Sequence, residues 1–100
     1  MTDVFSALAD PTRRHVMEHL AREPATATQI AAALPVTRQA VAKHLAVLQD
    51  AGLVRAERSG RERRFSPTPA PLTDAISWMA HVGGEWDDRL AALDAYVRRR

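Results

Sequence analysis

A chain of 100 residues, 46% of them apolar, with a formal charge of +2, reads as one small globular domain around a single core. It has no cysteine, which excludes disulfides, thiolate metal sites and thiol catalysis together. No apolar run approaches the roughly 20 residues of a membrane-spanning helix and Met1-Thr2-Asp3 starts no signal peptide, so a soluble cytoplasmic chain without a membrane partner is expected.

Thr2 is expected to cap a short helix that sets Val4, Phe5 and Leu8 on one face. Asp10-Pro11 ends it and starts the next, because a cap Asp followed by Pro at the first helical position is a restart signal. That second helix is expected over Pro11 to Arg22, with Val16, Met17 and Leu20 inward and Pro24 as its stop. Thr26-Ala27-Thr28-Gln29 fits a capping box, opening a short helix with Ile30, Ala31 and Leu34 apolar. After a tight turn at Val36-Thr37, Thr37 caps a helix whose Val41, Leu45 and Leu48 form an i, i+4, i+7 stripe.

Gly52 stands just past Ala51, where a helix end favours a left-handed residue. Leu53 to Arg58 reads as a strand that alternates from Val54, Ser59-Gly60 as a turn, and Arg61 to Ser66 as a return strand held by Phe65. Pro67, Pro69 and Pro71 mark a stiff connector into a last helix, where proline is tolerated only in the first turn. From there Leu72, Ile76, Met79, Gly83, Trp86, Leu90, Leu93 and Val97 repeat at alternating spacings of 4 and 3, a heptad seam flanked by Trp78 and Val82. Gly83-Gly84 weakens this helix by about 1 kcal/mol per Gly relative to Ala, so a kink is allowed there. The seam admits two readings, cover for the protomer's own core or pairing with a second copy. With two Trp on so small a protomer we favour pairing, through Ile76, Met79, Trp86, Leu90, Leu93 and Val97, with Val4, Phe5 and Leu8 as co-partners.

Charge is unevenly spread. Residues 25–66 carry six Arg and one Lys against three acids, whereas residues 1–24 and 67–100 each have one acid in excess. Two short helices joined by a tight turn, the second polar on one face, read as a helix-turn-helix over residues 26–51. The basic hairpin over 53–66 makes it a winged helix, and residues 69–98 supply a long C-terminal dimerisation helix. The expected fold is thus one domain, mainly α with a small β-hairpin.

At this point a resemblance becomes specific. Ala7-Leu8-Ala9-Asp10-Pro11-Thr12-Arg13-Arg14, Gln29-Ile30-Ala31, Val41-Ala42-Lys43-His44-Leu45-Ala46-Val47-Leu48 and Ala51-Gly52-Leu53-Val54 together resemble the ArsR family of bacterial repressors, over nearly the whole chain. The resemblance implies a homodimeric winged-helix regulator docked on a palindromic operator in double-stranded DNA. Metal-sensing members of that family use cysteines near the first helix of the motif, or Asp/His/Glu sets on the terminal helix. This chain has no cysteine and one terminal-helix histidine, His81. Its Trp78…Trp86-x-x-Arg89-Leu90-x-x-Leu93-x-x-Tyr96 pattern looks like the non-metal branch, which implies no metal and no cofactor, with an inducer of unstated chemistry as the remaining candidate ligand.

A recognition helix buries one stripe and offers the opposite one to base edges in the major groove. Opposite Val41, Leu45 and Leu48 lie Arg38, Gln39, Ala42, Lys43 and Ala46. Gln39 suits adenine, and Arg38 or Lys43 suits guanine or a phosphate. Ala42 and Ala46 allow close approach, and Thr37 at the helix start is placed to meet a phosphate. In the wing, Arg58, Arg61, Arg63 and Arg64 suit the minor groove or flanking phosphates, with simple solvation the alternative for each. Alternation sends Arg61 and Arg63 to one face and Glu62 and Arg64 to the other. His44 reads either as a phosphate contact or as a half-buried structural histidine.

The pairs His15/His19 and His81/Glu85 have the i, i+4 spacing of metal ligands but no third partner in view, and chance pairing is the better reading. No Gly-rich phosphate loop, HExxH or Ser/His/Asp set suggests an enzyme. Two further readings stay open: the same regulator with a ligand or metal site between subunits, and a winged helix that binds protein rather than DNA. The polar recognition face favours DNA.

Overall fold

The computed structural model describes residues 3–98. The elements run α1 (Val4–Leu8), α2 (Pro11–Arg22), β1 (Ala25–Thr26), α3 (Ala27–Ala33), α4 (Arg38–Asp50), β2 (Val54–Ser59), β3 (Glu62–Pro67) and α5 (Pro69–Arg98). Thr2 lies outside the described residues. The cap of α1 is Asp3, whose Oδ1 accepts from the Ser6 amide at 2.8 Å. Asp10 caps α2 by accepting from the Thr12 and Arg13 amides at 2.7 and 3.1 Å.

The capping box of α3 is complete: Gln29 N–H donates to Thr26 Oγ1, and Thr26 N–H donates to Gln29 Oε1. The C-terminus of α4 closes as a Schellman motif, with the Gly52 amide on the Gln49 carbonyl and the Leu53 amide on the Leu48 carbonyl. Gly52 has φ +76, and Leu48 and Leu53, which the motif brings together, are both fully buried.

The sheet has three strands, not the two of a hairpin, in the order β1-β3-β2. Ala25 pairs with Phe65 and Thr26 with Arg64. Two residues are too few to show alternation, so β1 leaves no periodic trace in the sequence. Pairing of Ser59 with Glu62 makes Gly60-Arg61 the turn, one residue later than expected, and Gly60 takes the φ of +64 that tight hairpin turns use. Arg61 therefore belongs to the turn rather than to a strand face.

The core joins Ala7, Val16, Met17, Leu20, Ala25, Ile30, Val41, Leu45, Leu48, Leu53, Val54 and Phe65, drawing on every element but α5. Only the root of α5 meets it, through half-buried Leu72, while Ala75 is the last buried residue of that helix. No break interrupts α5 at Gly83 or Gly84, since glycine, unlike proline, keeps the amide that the helix needs. At 1.5 Å per residue its 30 residues span about 45 Å, which explains extents of 70 × 26 × 25 Å. No helix among the described residues is long and apolar enough to cross a membrane.

Candidate nucleic-acid interface

The burial of Val41, Leu45 and Leu48 turns the opposite stripe of α4 outward, so Arg38, Gln39, Ala42, Lys43 and Ala46 are all exposed. Thr37 Oγ1 accepts from the Ala40 amide at 3.1 Å, which leaves its O–H free to donate at the mouth of the helix. His44 stands apart from this stripe. It is half-buried on the side facing α2, and its charge helps to hold the Asp10 carboxyl below the usual carboxylate range. The larger causes are the hydrogen bonds from the Arg13 and Thr12 amides and the charge of Arg13.

Between α4 and the wing runs a groove of about 350 Å³. Arg38 enters it from α4 and Arg61 and Arg63 from the wing, with Ala42, Leu45 and Ala46 along its helix side. The Arg63 guanidinium stacks over the Phe65 ring at 5.4 Å from its centroid, which steadies it at the groove wall. Arg58 and Arg64 do not line the groove. Arg58 instead faces Arg63 across the β2–β3 ladder, and two like charges directly opposite each other are unfavourable until an anion comes between them. Arg64 is half-buried and lies opposite Glu57.

The sequence reading gives Thr28, Gln49 and Glu62, among other groove residues, no place at the interface. Gln49 was within reach of it, because it continues the Ala42–Ala46 stripe at i+7 and i+3. Thr28 and Glu62 come near α4 only through the tertiary fold.

The matched family model, a helix-turn-helix domain, covers residues 8–57. Transcriptional repressor SdpR of Bacillus subtilis is 31% identical over 90 residues, 90% of this chain and 100% of its own. A solved ArsR-like transcriptional regulator from Rhodococcus is 44% identical, with a TM-score of 0.80 over 90% of this chain and 85% of that one. The chain belongs to the ArsR family of helix-turn-helix transcriptional regulators. This ArsR-family chain is accordingly a regulator and not an enzyme. Another relative, the probable mercury resistance operon repressor of Streptomyces lividans, is 31% identical over 94 residues, 94% of this chain and 73% of its own. In this ArsR-family protein His15 Nδ1 meets Glu18 Oε2 at 3.5 Å and His81 Nε2 meets Glu85 Oε1 at 3.1 Å. Among the described residues no group of three or more His, Asp and Glu gathers to hold a metal ion.

The seam of α5 is uncovered in the single chain. Ile76, Met79, Trp86, Leu90, Leu93 and Val97 are between 48% and 60% exposed. Phe5 is likewise half exposed, whereas Val4 and Leu8 are half-buried against the protomer's own core.

Proposed function

We propose that this regulator is a homodimeric repressor that reads a palindromic operator through α4 and holds the flanking backbone with its wing. The observation that carries the reading is the arginine-lined groove beside a polar, exposed helix stripe. Gln39 and Lys43 take the role of base contacts and Ala42 allows close approach, while Thr37, Arg38, Arg61 and Arg63 take phosphates. Arg58 adds charge at the wing. Arg64 and His44, both half-buried, serve at the margin of the interface. Repression is carried over from SdpR, whose name describes a repressor.

Pairing through α5 and α1 supplies the two-fold symmetry that a palindrome mirrors. An uncovered apolar seam about six turns long is hard to leave in water on a protein of this size. The whole of 3–98 then works as one unit, with reading head and pairing helix joined at the root of α5. We place the protein in the non-metal branch, because it lacks cysteine and its histidines are scattered, mercury-resistance relative notwithstanding. Selection of bound duplexes from a random pool, repeated at two salt concentrations, tests the reading. A palindromic consensus whose binding weakens steeply with salt is expected. Failure to enrich any sequence overturns it.

A further inference from the structure

Helix α1 has five residues, too few to be stable alone, and the carbonyls at its end are open to further donors, that of Ser6 already accepting from the Ala9 amide at 3.3 Å. Two arginines of the first turn of α2 take them. Arg13 donates from Nε to the Ala7 carbonyl at 2.6 Å and from Nη2 to the Ser6 carbonyl at 3.3 Å. Arg14 donates from Nη1 to the Leu8 and Ala9 carbonyls at 2.7 and 3.1 Å. Arg13 Nη1 also lies 3.9 Å from Asp10 Oδ2, the carboxylate whose other oxygen caps α2. With 18% of its side chain exposed, Arg13 is committed inward rather than offered to DNA. Cations at a helix C-terminus are also favoured by the helix dipole.

The helix held in this way lies between the two halves of the molecule. Its Phe5 meets Trp78 of α5, and its Val4 and Leu8 pack on the core that supports α4. We propose that Arg13 is a positioning residue for operator recognition: it fixes the α1–α5 pairing face at one angle to α4, and so sets the distance between the two reading helices of the dimer. This rests on the dimeric DNA-binding reading above. The required precision is high, because a tilt of about 8° across the 26 Å width of the molecule moves a reading helix by about one 3.4 Å base-pair step. Lysine keeps the charge but not the planar fork that spans two carbonyls.

The test is Arg13→Lys, which leaves electrostatic attraction to DNA unchanged. Because the chain has no cysteine, Ala46→Cys carries one spin label per protomer on the exposed stripe of α4. The label-to-label distance in the DNA-free dimer is expected to be narrow with Arg13 and roughly twice as broad with R13K, at unchanged dimer mass and helicity. Without labels, the Arg13 protein should lose at least about tenfold in affinity when one base pair is inserted between operator half-sites. R13K should lose far less, with equal affinity for unrelated DNA. An R13K dimer with the original distance width and spacing profile overturns the proposal. If R13K does not fold, Arg14→Lys loosens the exposed half of the same joint, and an unchanged width there also overturns it. A distance that R13K broadens, in a protein that prefers no DNA sequence, instead overturns the DNA reading and the positioning role with it.

Discussion

Phe5 and Trp78 meet edge to face, with ring centroids 5.8 Å apart and planes at 63°. Both rings remain more than half exposed, so the contact joins α1 and α5 into one apolar surface without covering it. Burying that surface against a second copy is the simplest way to remove it from water. We expect a homodimer at micromolar concentration. Leu90→Asp with Leu93→Asp puts unpaired carboxylates into the seam at several kcal/mol each, enough to raise the dimer Kd more than about a thousandfold. Sedimentation checks this, and a wild-type monomer at micromolar concentration would refute it.

Operator contacts should divide by type. Gln39→Ala or Lys43→Ala is expected to cost about 1–3 kcal/mol on the preferred operator and to relax one base position in each half-site. Arg61→Ala or Arg63→Ala should weaken all sequences alike and flatten the salt slope by about one unit per lost phosphate contact per subunit. The half-sites should lie about one helical turn, ~34 Å, apart. Competition binding across a sequence library separates these outcomes. Helix variants that bind every sequence as the wild type does would shift the reading role to the wing.

Metal ions should not release the protein from DNA. Titration of zinc, cadmium and nickel against the purified protein is expected to show no stoichiometric complex tighter than about micromolar, since among the described residues no site offers the three or four ligands a sensor needs. A tight complex that releases DNA would place the protein with metal-responsive relatives instead.

Gly52→Ala should destabilise the fold by about 1–2 kcal/mol. The cause is backbone and not crowding: φ is +76, while the nearest atom to an added Cβ, Pro71 Cγ, lies at an ordinary 3.7 Å. Urea unfolding gives the number. A neutral effect would mean that the end of α4 closes by another route.

Acid stability should depend on Asp10. Its carboxyl titrates below the ordinary 3.8, chiefly because the Arg13 amide donates to it. A folded pKa below the unfolded one contributes stability that is complete above 3.8 and is lost as pH falls through the folded value. Asp10→Asn accepts the same amides without titrating, so its stability should change less below pH 3.8 than that of the wild type. Thermal unfolding across that range checks it, and parallel acid curves would remove Asp10 from the account.

Much of the protein was legible in its residues because the relevant forces act over one helical turn. Asp10, Thr26 and Thr37 announce helix starts through side chains that reach only three residues ahead. Val41, Leu45 and Leu48 declare the buried side of α4, and so by subtraction its exposed one. The seam of α5 is a spacing that any reader can count. Other features needed residues far apart in the chain to meet. Strand β1 exists only because Phe65 and Arg64 arrive beside Ala25 and Thr26. Alternation in the sequence already parts Arg61 and Arg63 from Arg64, but only the wing folded against α4 makes a groove and puts the first two on its wall. His44 reads in sequence as either a phosphate contact or a half-buried histidine, and its half-buried place near Asp10 needed α2 packed beside α4. The ALADPTRR segment could be recognised as a pattern, but its purpose lay in four carbonyls whose acceptor positions exist only once α1 and α2 have folded against each other. Periodicity and capping are local and survive in one dimension, whereas pairing across a sheet and hydrogen bonds between elements are decided by three-dimensional packing.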